Sequence, residues 1–199
     1  MLLDIAKQQL RKAGWYEGRK IDLTKYEEAY AKIGCEMFPA ARKFLEEYGD
    51  LDIQDKYISP VKDKNGNPTT SINRSLINVA NCCGHRDLKL EELVENLFGQ
   101  KILKVGLIDC GNIYIFISED GRFFVNWYNY GLWAENSDQL WNEYYGEDYG
   151  WELWDAVKAG KGRPMRKKQI EKYIYQSEKQ KTEKEKSFSV FSCHMAYKL

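Results

Sequence analysis

Up to Tyr48 the apolar residues of this chain recur every three or four positions, whereas from Leu51 onward they fall into short runs separated by turn residues. That change of period restricts the fold, because a helical repeat and a two-residue repeat cannot share one element. In LLDIAKQQLRKAGW, Leu2 or Leu3, Ala6 and Leu10 share a helical face that ends near Gly14. A second helix is expected from Thr24, with Tyr26, Ala29, Tyr30 and Ile33 inward and Gly34 closing it. A third is expected from Pro39, a residue tolerated in a first turn, with Phe44, Leu45 and Tyr48 inward.

Beyond Leu51, LDIQ and KYISPV read as weak strands, KDKNGNPTT as a turn-rich loop and SLINVANC as a stronger strand. LKLEELVENLFG returns to the helical repeat through Leu90, Leu93, Val94 and Leu97. KILKVGLID, GNIYIFIS and GRFFVNWY follow as strands, the last two joined at Glu119-Asp120-Gly121, where glycine accepts the positive φ of a hairpin turn. SDQLWNEYYG reads as a helix capped by Ser137 or Asp138, and GWELWDAVKAG as one more turn or two. The expected class is α+β: an antiparallel-rich, mixed β-sheet flanked by helices.

A chain of 199 residues suits one domain with an appendage. No apolar run approaches the ~18 residues of a membrane span, and Asp4 and Lys7 break up the N-terminal stretch that a signal peptide would need. The expectation is a cytoplasmic protein without membrane contact. Cys35, Cys82, Cys83, Cys110 and Cys193 lack disulfide-framework spacing and read as thiols in a reducing compartment.

The zero net charge conceals a division. Residues 1–157 carry 18 Lys+Arg against 26 Asp+Glu, and residues 158–199 carry 12 against 4. The chain therefore divides into an acidic body, 1–157, and a basic, partly helical C-terminal extension, 158–199. The stretch 160–186 is nearly devoid of apolar residues, and three readings suit it: a solvated linker, an arm for nucleic acid, or a neutralising contact with the acidic body. Glutamates interleaved with its lysines make nucleic acid the weaker partner. The final SFSVFSCHMAYKL is apolar enough to require cover somewhere.

No Lys or Arg occurs between Arg122 and Lys158, although seven carboxylates do. Within that window LWNEYYGEDYGWELW holds three of the six Trp. A core helix, a sugar or nucleotide platform and a docking face for a basic protein are all compatible with it. Carboxylates cannot follow the rings into a core without partners, so they belong on the rim. Trp133, Glu135, Asp138, Trp141, Glu143, Glu147, Asp148 and Trp151 are the candidate partner-binding residues.

Chemical motifs are weak. Cys82-Cys83-Gly84-His85 invites a zinc reading, but adjacent cysteines bite awkwardly and no second pair completes four ligands; buried thiols at the end of a strand fit better. Glu46-Glu47 and Glu91-Glu92 diverge around their helices rather than sharing a proton. Gly160-Lys161-Gly162 lacks phosphate-loop spacing. No catalytic, cofactor or metal residue is assigned, and an enzyme is not expected.

Gly14-Trp15, Gly18-Arg19 and Ile21-Asp22, then Phe44-Leu45, Tyr48-Gly49 and Leu51, then Lys104-Val105-Gly106 and Glu119-Asp120-Gly121-Arg122, occur in an order that resembles the SUKH superfamily, in particular its bacterial polymorphic-toxin immunity proteins. The resemblance spans about residues 13–145; Lys104 stands where the family tends to have proline, and the chain beyond Trp154 lies outside it. It implies an α+β fold and a cytoplasmic antidote that neutralises a cognate toxin domain, frequently a nuclease, by direct protein contact. A regulatory adaptor on the same fold is the alternative it leaves open. Nuclease domains are typically basic, which suits an acidic docking face.

Overall fold

Three amphipathic helices open the chain where the helical repeat places them: α1 (Asp4–Lys12), α2 (Thr24–Lys32) and α3 (Pro39–Tyr48). The computed structural model describes residues 1–127, 129–146 and 150–163. Glu147, Asp148 and the chain from 164 on, including most of the charged extension and SFSVFSCHMAYKL, lie outside the described residues.

After α3 come β1 (Leu51–Lys62), β2 (Pro68–Ile77), α4 (Val79–Cys83), α5 (Leu88–Phe98), β3 (Ile102–Ile108), β4 (Ile113–Ser118), β5 (Phe123–Asn126), β6 (Tyr130–Ala134), α6 (Ser137–Gly146), β7 (Trp151–Glu152) and α7 (Leu153–Lys158). The seven strands form one sheet in sequence order, β1 to β7. Every pairing is antiparallel. The α+β class holds, and among the described residues the sheet is antiparallel throughout rather than mixed.

Local expectations were met unevenly. LDIQ, KYISPV and part of the expected loop form one long hairpin, closed by a five-residue turn in which Asp63 Oδ1 accepts from the Asn65 and Asn67 N–H groups, both at 2.8 Å. NVANC is not strand: Asn78 Oδ1 accepts from the Asn81 N–H at 3.0 Å, a cap that starts α4. The β-forming side chains lost to that cap. Helix α6 is likewise capped one residue earlier than expected, with Asn136 Oδ1 accepting from the Gln139 N–H at 3.0 Å.

Two apolar layers sandwich the sheet. One face packs Leu51, Ile53, Ile77, Val105, Ile115 and Phe123 against α1, α2, α3, α4 and α6. The other packs Ile102, Phe116, Phe124 and Leu132 against α5 and α7. Between Lys104 and Gly106 the β3 register shifts, so that Val105 and then Gly106 face the first layer. A Cβ at Gly106 would lie 2.4 Å from Ile77 Cδ1, which explains glycine there.

The N-terminal segment is tied to α6. Asn142 on α6 accepts from the Leu3 N–H at 2.7 Å and donates to the Met1 carbonyl at 3.1 Å, closing α1 onto α6. Tyr26 ties α2 to the hairpin: its hydroxyl accepts from the Asp50 N–H at 2.9 Å and lies 3.1 Å from the Ile77 carbonyl. Asp50 adopts a positive φ of 60° there.

Candidate partner-binding surface

The acidic window runs from β5 through α7, so its residues are distributed by the alternation of β6 and the turns of α6. Strand β6 is covered on both faces, Leu132 by the α5–α7 layer and Trp133 by the α6 layer. Trp133 is 2% exposed, edge-on to Tyr144 at 6.3 Å between centroids. Trp141 is 0% exposed and tilts against Tyr48 at 5.6 Å. As partner-binding residues these two are corrected: both are core, because the alternation of β6 turns Trp133 towards the α6 layer and the helical stripe of α6 turns Trp141 onto α3.

The remaining candidates lie on the rim, and most are already engaged within the molecule. Glu135 pairs with Lys161. Asp138 lies 2.9 Å from the N-terminal ammonium. Half-buried Glu143 accepts from the Gln139 amide. Trp151 is 46% exposed on the sheet-edge strand β7, with Lys161 Nζ 5.8 Å from its ring centre. Around it stand Glu152, which accepts from Asn129 Nδ2 at 3.1 Å, and Asp155, paired with Lys158 at 3.1 Å. Gly150, Trp151, Glu152, Asp155, Lys158 and Ala159 line a shallow, open depression. The geometry is a surface with a large exposed ring bordered by three carboxylates, two of them paired with Lys158 and Lys161.

Sequence reasoning did not find the partner of Glu135. Lys161 is 26 positions away, and only the fold of α7 back across β6 brings it near. Arg122 fixes that return: its guanidinium donates to the Lys161 carbonyl at 2.9 Å and to Asp120 at 2.9 Å, over the Phe98 ring at 5.2 Å. Burial pushes the Asp120 carboxyl upward, but the bonds from Arg122 and Ser118 outweigh it and hold it below its usual range.

The other motif residues are also structural. Trp15 stacks on Tyr48 and donates from Nε1 to Glu47 Oε1 at 3.1 Å, while Arg19 donates to the Glu47 carbonyl at 2.7 Å. The early pattern thus staples the α1–α2 connection to the end of α3. Gly49 is required because a Cβ would lie 2.4 Å from the Leu45 carbonyl oxygen. The motifs mark a fold.

Cys82 and Cys83 are buried on α4 rather than at a strand end, and His85 is exposed. Burial pushes both thiols up, Cys83 to about 11, so neither supplies a ready thiolate. Among the described residues no group of three His, Cys, Asp or Glu side chains is placed to hold a metal ion. The crevice beside them, lined by Tyr30, Cys35, Cys82, His85 and Lys104, encloses about 10 Å³, room for one water. Lys104 itself is 8% exposed, its Nζ 5.3 Å from the centre of the Tyr114 ring, and burial lowers its pKa.

Among the described residues no helix is long and apolar enough to cross a membrane. No curated protein and no solved structure matches the chain. The sequence model of the SUKH-3 immunity protein family matches residues 4–145, taking in α1 as well as the span of the earlier resemblance. Over residues 4–145, from the first helix through nearly all of α6, this chain therefore belongs to the SUKH-3 immunity protein family.

Proposed function

We propose that the chain is a cytoplasmic antidote that binds a cognate toxin domain stoichiometrically and blocks its substrate approach. The body, 1–157, supplies the binding surface, and the extension, 158–199, is an accessory. The observation that carries this reading is the exposed Trp151 on the sheet edge, bordered by Glu135, Glu152 and Asp155 from a sequence window, 123–157, that has no Lys or Arg, with Lys158 and Lys161 entering from beyond it to pair with Asp155 and Glu135. An amphipathic ring in an acidic border suits a basic partner: the ring contributes a hot spot, and the charge speeds encounter. A nuclease domain, basic because it holds phosphate, is the partner of that kind, and the carboxylates compete with its substrate.

The test is co-expression with the toxin domains encoded beside the gene. Full protection is expected from the native chain and its loss from Glu135→Lys with Glu152→Lys, with the far-ultraviolet dichroism of the variant unchanged. Undiminished protection by the folded variant overturns the assignment of the face.

A further inference from the structure

Among the described residues the second face of the sheet is only partly covered. Helices α5 and α7 lie over Phe116, Phe124 and Leu132, but the neighbouring row runs beyond them. In that row Leu76 pairs with Leu107, and Leu107 with Tyr114, so three apolar side chains stand side by side across β2, β3 and β4. Leu76 and Leu107 are half-buried, Tyr114 is 37% exposed, and Ile72, further along the same face of β2, is 49% exposed. Arg74, paired with Asp52, stands between Ile72 and Leu76, and Lys104 lies against Tyr114, but among the described residues nothing lies over the apolar row itself, which leaves room for an occupant.

We infer that residues 187–199, SFSVFSCHMAYKL, occupy this face. The chain leaves the body on the correct side: the Arg163 N–H donates to the Leu97 carbonyl at 2.8 Å, at the end of α5, the helix that covers the adjoining row. The segment is apolar at Phe188, Val190, Phe191, Met195, Tyr197 and Leu199, with Lys198 its single Lys or Arg and no Asp or Glu. It matches the row in chemistry, and the charged stretch before it does not. The reach suffices. Residues 164–186, even if wound into a helix at about 1.5 Å per residue, span about 35 Å. From β6 to β2 the sheet is about 20 Å wide, at about 4.8 Å per strand. Tethering keeps the segment at high local concentration, so a modest apolar contact is enough to hold it.

The native thiols provide the test. Cys110 is exposed in the turn after β3, its Sγ 3.3 Å from the Ile72 carbonyl oxygen at the border of the row, and Cys193 lies within the segment. A short bismaleimide added to the dilute full-length chain is expected to join Cys110 to Cys193 within one molecule. In the full-length Phe188→Asp, Phe191→Asp variant the yield should fall about tenfold, to what a free tether gives. Equal yields in the two chains overturn the inference, as does a Cys110 to Cys193 link found only between two molecules. No toxin enters the measurement, so its failure is separate from any failure of the proposed neutralising function.

Discussion

Trp141 and Trp151 sit ten positions apart in one aromatic, acidic stretch, and the structure assigns them opposite consequences. Trp141 is 0% exposed, packed against Tyr48 and Tyr144. Truncating a buried Trp to Ala costs about 3–5 kcal/mol. The indole Nε1 has no hydrogen-bond partner among the described residues, so its removal returns about 1 kcal/mol of unmet desolvation. Trp141→Ala should therefore lose about 3 kcal/mol, or roughly 6–12 °C in Tm at this size. Trp141→Phe should regain most of that, because no indole bond is sacrificed. Trp151 is 46% exposed and gives up chiefly its contact with Lys161, so Trp151→Ala should lose about 1 kcal/mol or less. Its binding to the toxin domain should weaken by about 2 kcal/mol, near thirtyfold in Kd. Thermal and urea unfolding measure the first quantity, and titration calorimetry with the toxin domain the second. If Trp151→Ala destabilised the fold as much as Trp141→Ala, or bound within threefold of the native chain, the division of the window into core and rim would be wrong.

Two further outcomes are expected. Tyr26→Phe removes the acceptor for the Asp50 N–H and a group facing the Ile77 carbonyl, and should cost about 2 kcal/mol in urea unfolding; Tyr30→Phe, which loses the bond to the Lys104 carbonyl at 2.6 Å and the weaker contacts with the Cys82 and Cys83 thiols, should cost about as much. Asp55 Oδ1 is buried without a hydrogen-bond partner among the described residues, and burial raises its pKa more than the Tyr145 hydroxyl and Lys12 lower it. A carboxyl with a raised folded pKa supports the fold at low pH and opposes it once ionised. Asp55→Asn should thus raise Tm at pH 7, and the gain should vanish below the usual carboxylate range; a gain independent of pH would refute the charge as its cause.

The elements with local signals were legible in the sequence. Helices α1 to α3 carry their apolar faces at regular spacing, and Gly121, at φ 89°, closes the hairpin that its turn residues predict. Elements decided by distant contacts were not. YGLWA has no alternation to read because β6 is buried on both sides, and NVANC looks like strand until the Asn78 cap is considered. The aromatic window was recognisable as a mixture of rings and charges, but the pattern alone could not separate Trp141 from Trp151. Nor could it foresee that Glu135 meets Lys161, since that pairing depends on α7 returning across the sheet. The open row of Leu76, Leu107 and Tyr114 left a faint trace: β2 has apolar residues at both parities, Ile72 and Leu76 on one face, Ile77 on the other.

The clasp between α1 and α6 sets a timetable for synthesis. Strands β1 to β7 each pair with a neighbour in the chain, so the sheet can grow in the order in which it leaves the ribosome. Helix α1 cannot complete its contacts until Asn142 has been made. At about 5–20 residues per second that leaves the first helix waiting roughly 7–30 s. A protein assembled in this way becomes fully closed only when most of the sheet and α6 exist, and a nascent chain stopped short of α6 leaves part of the apolar face of its first helix open to chaperones and proteases.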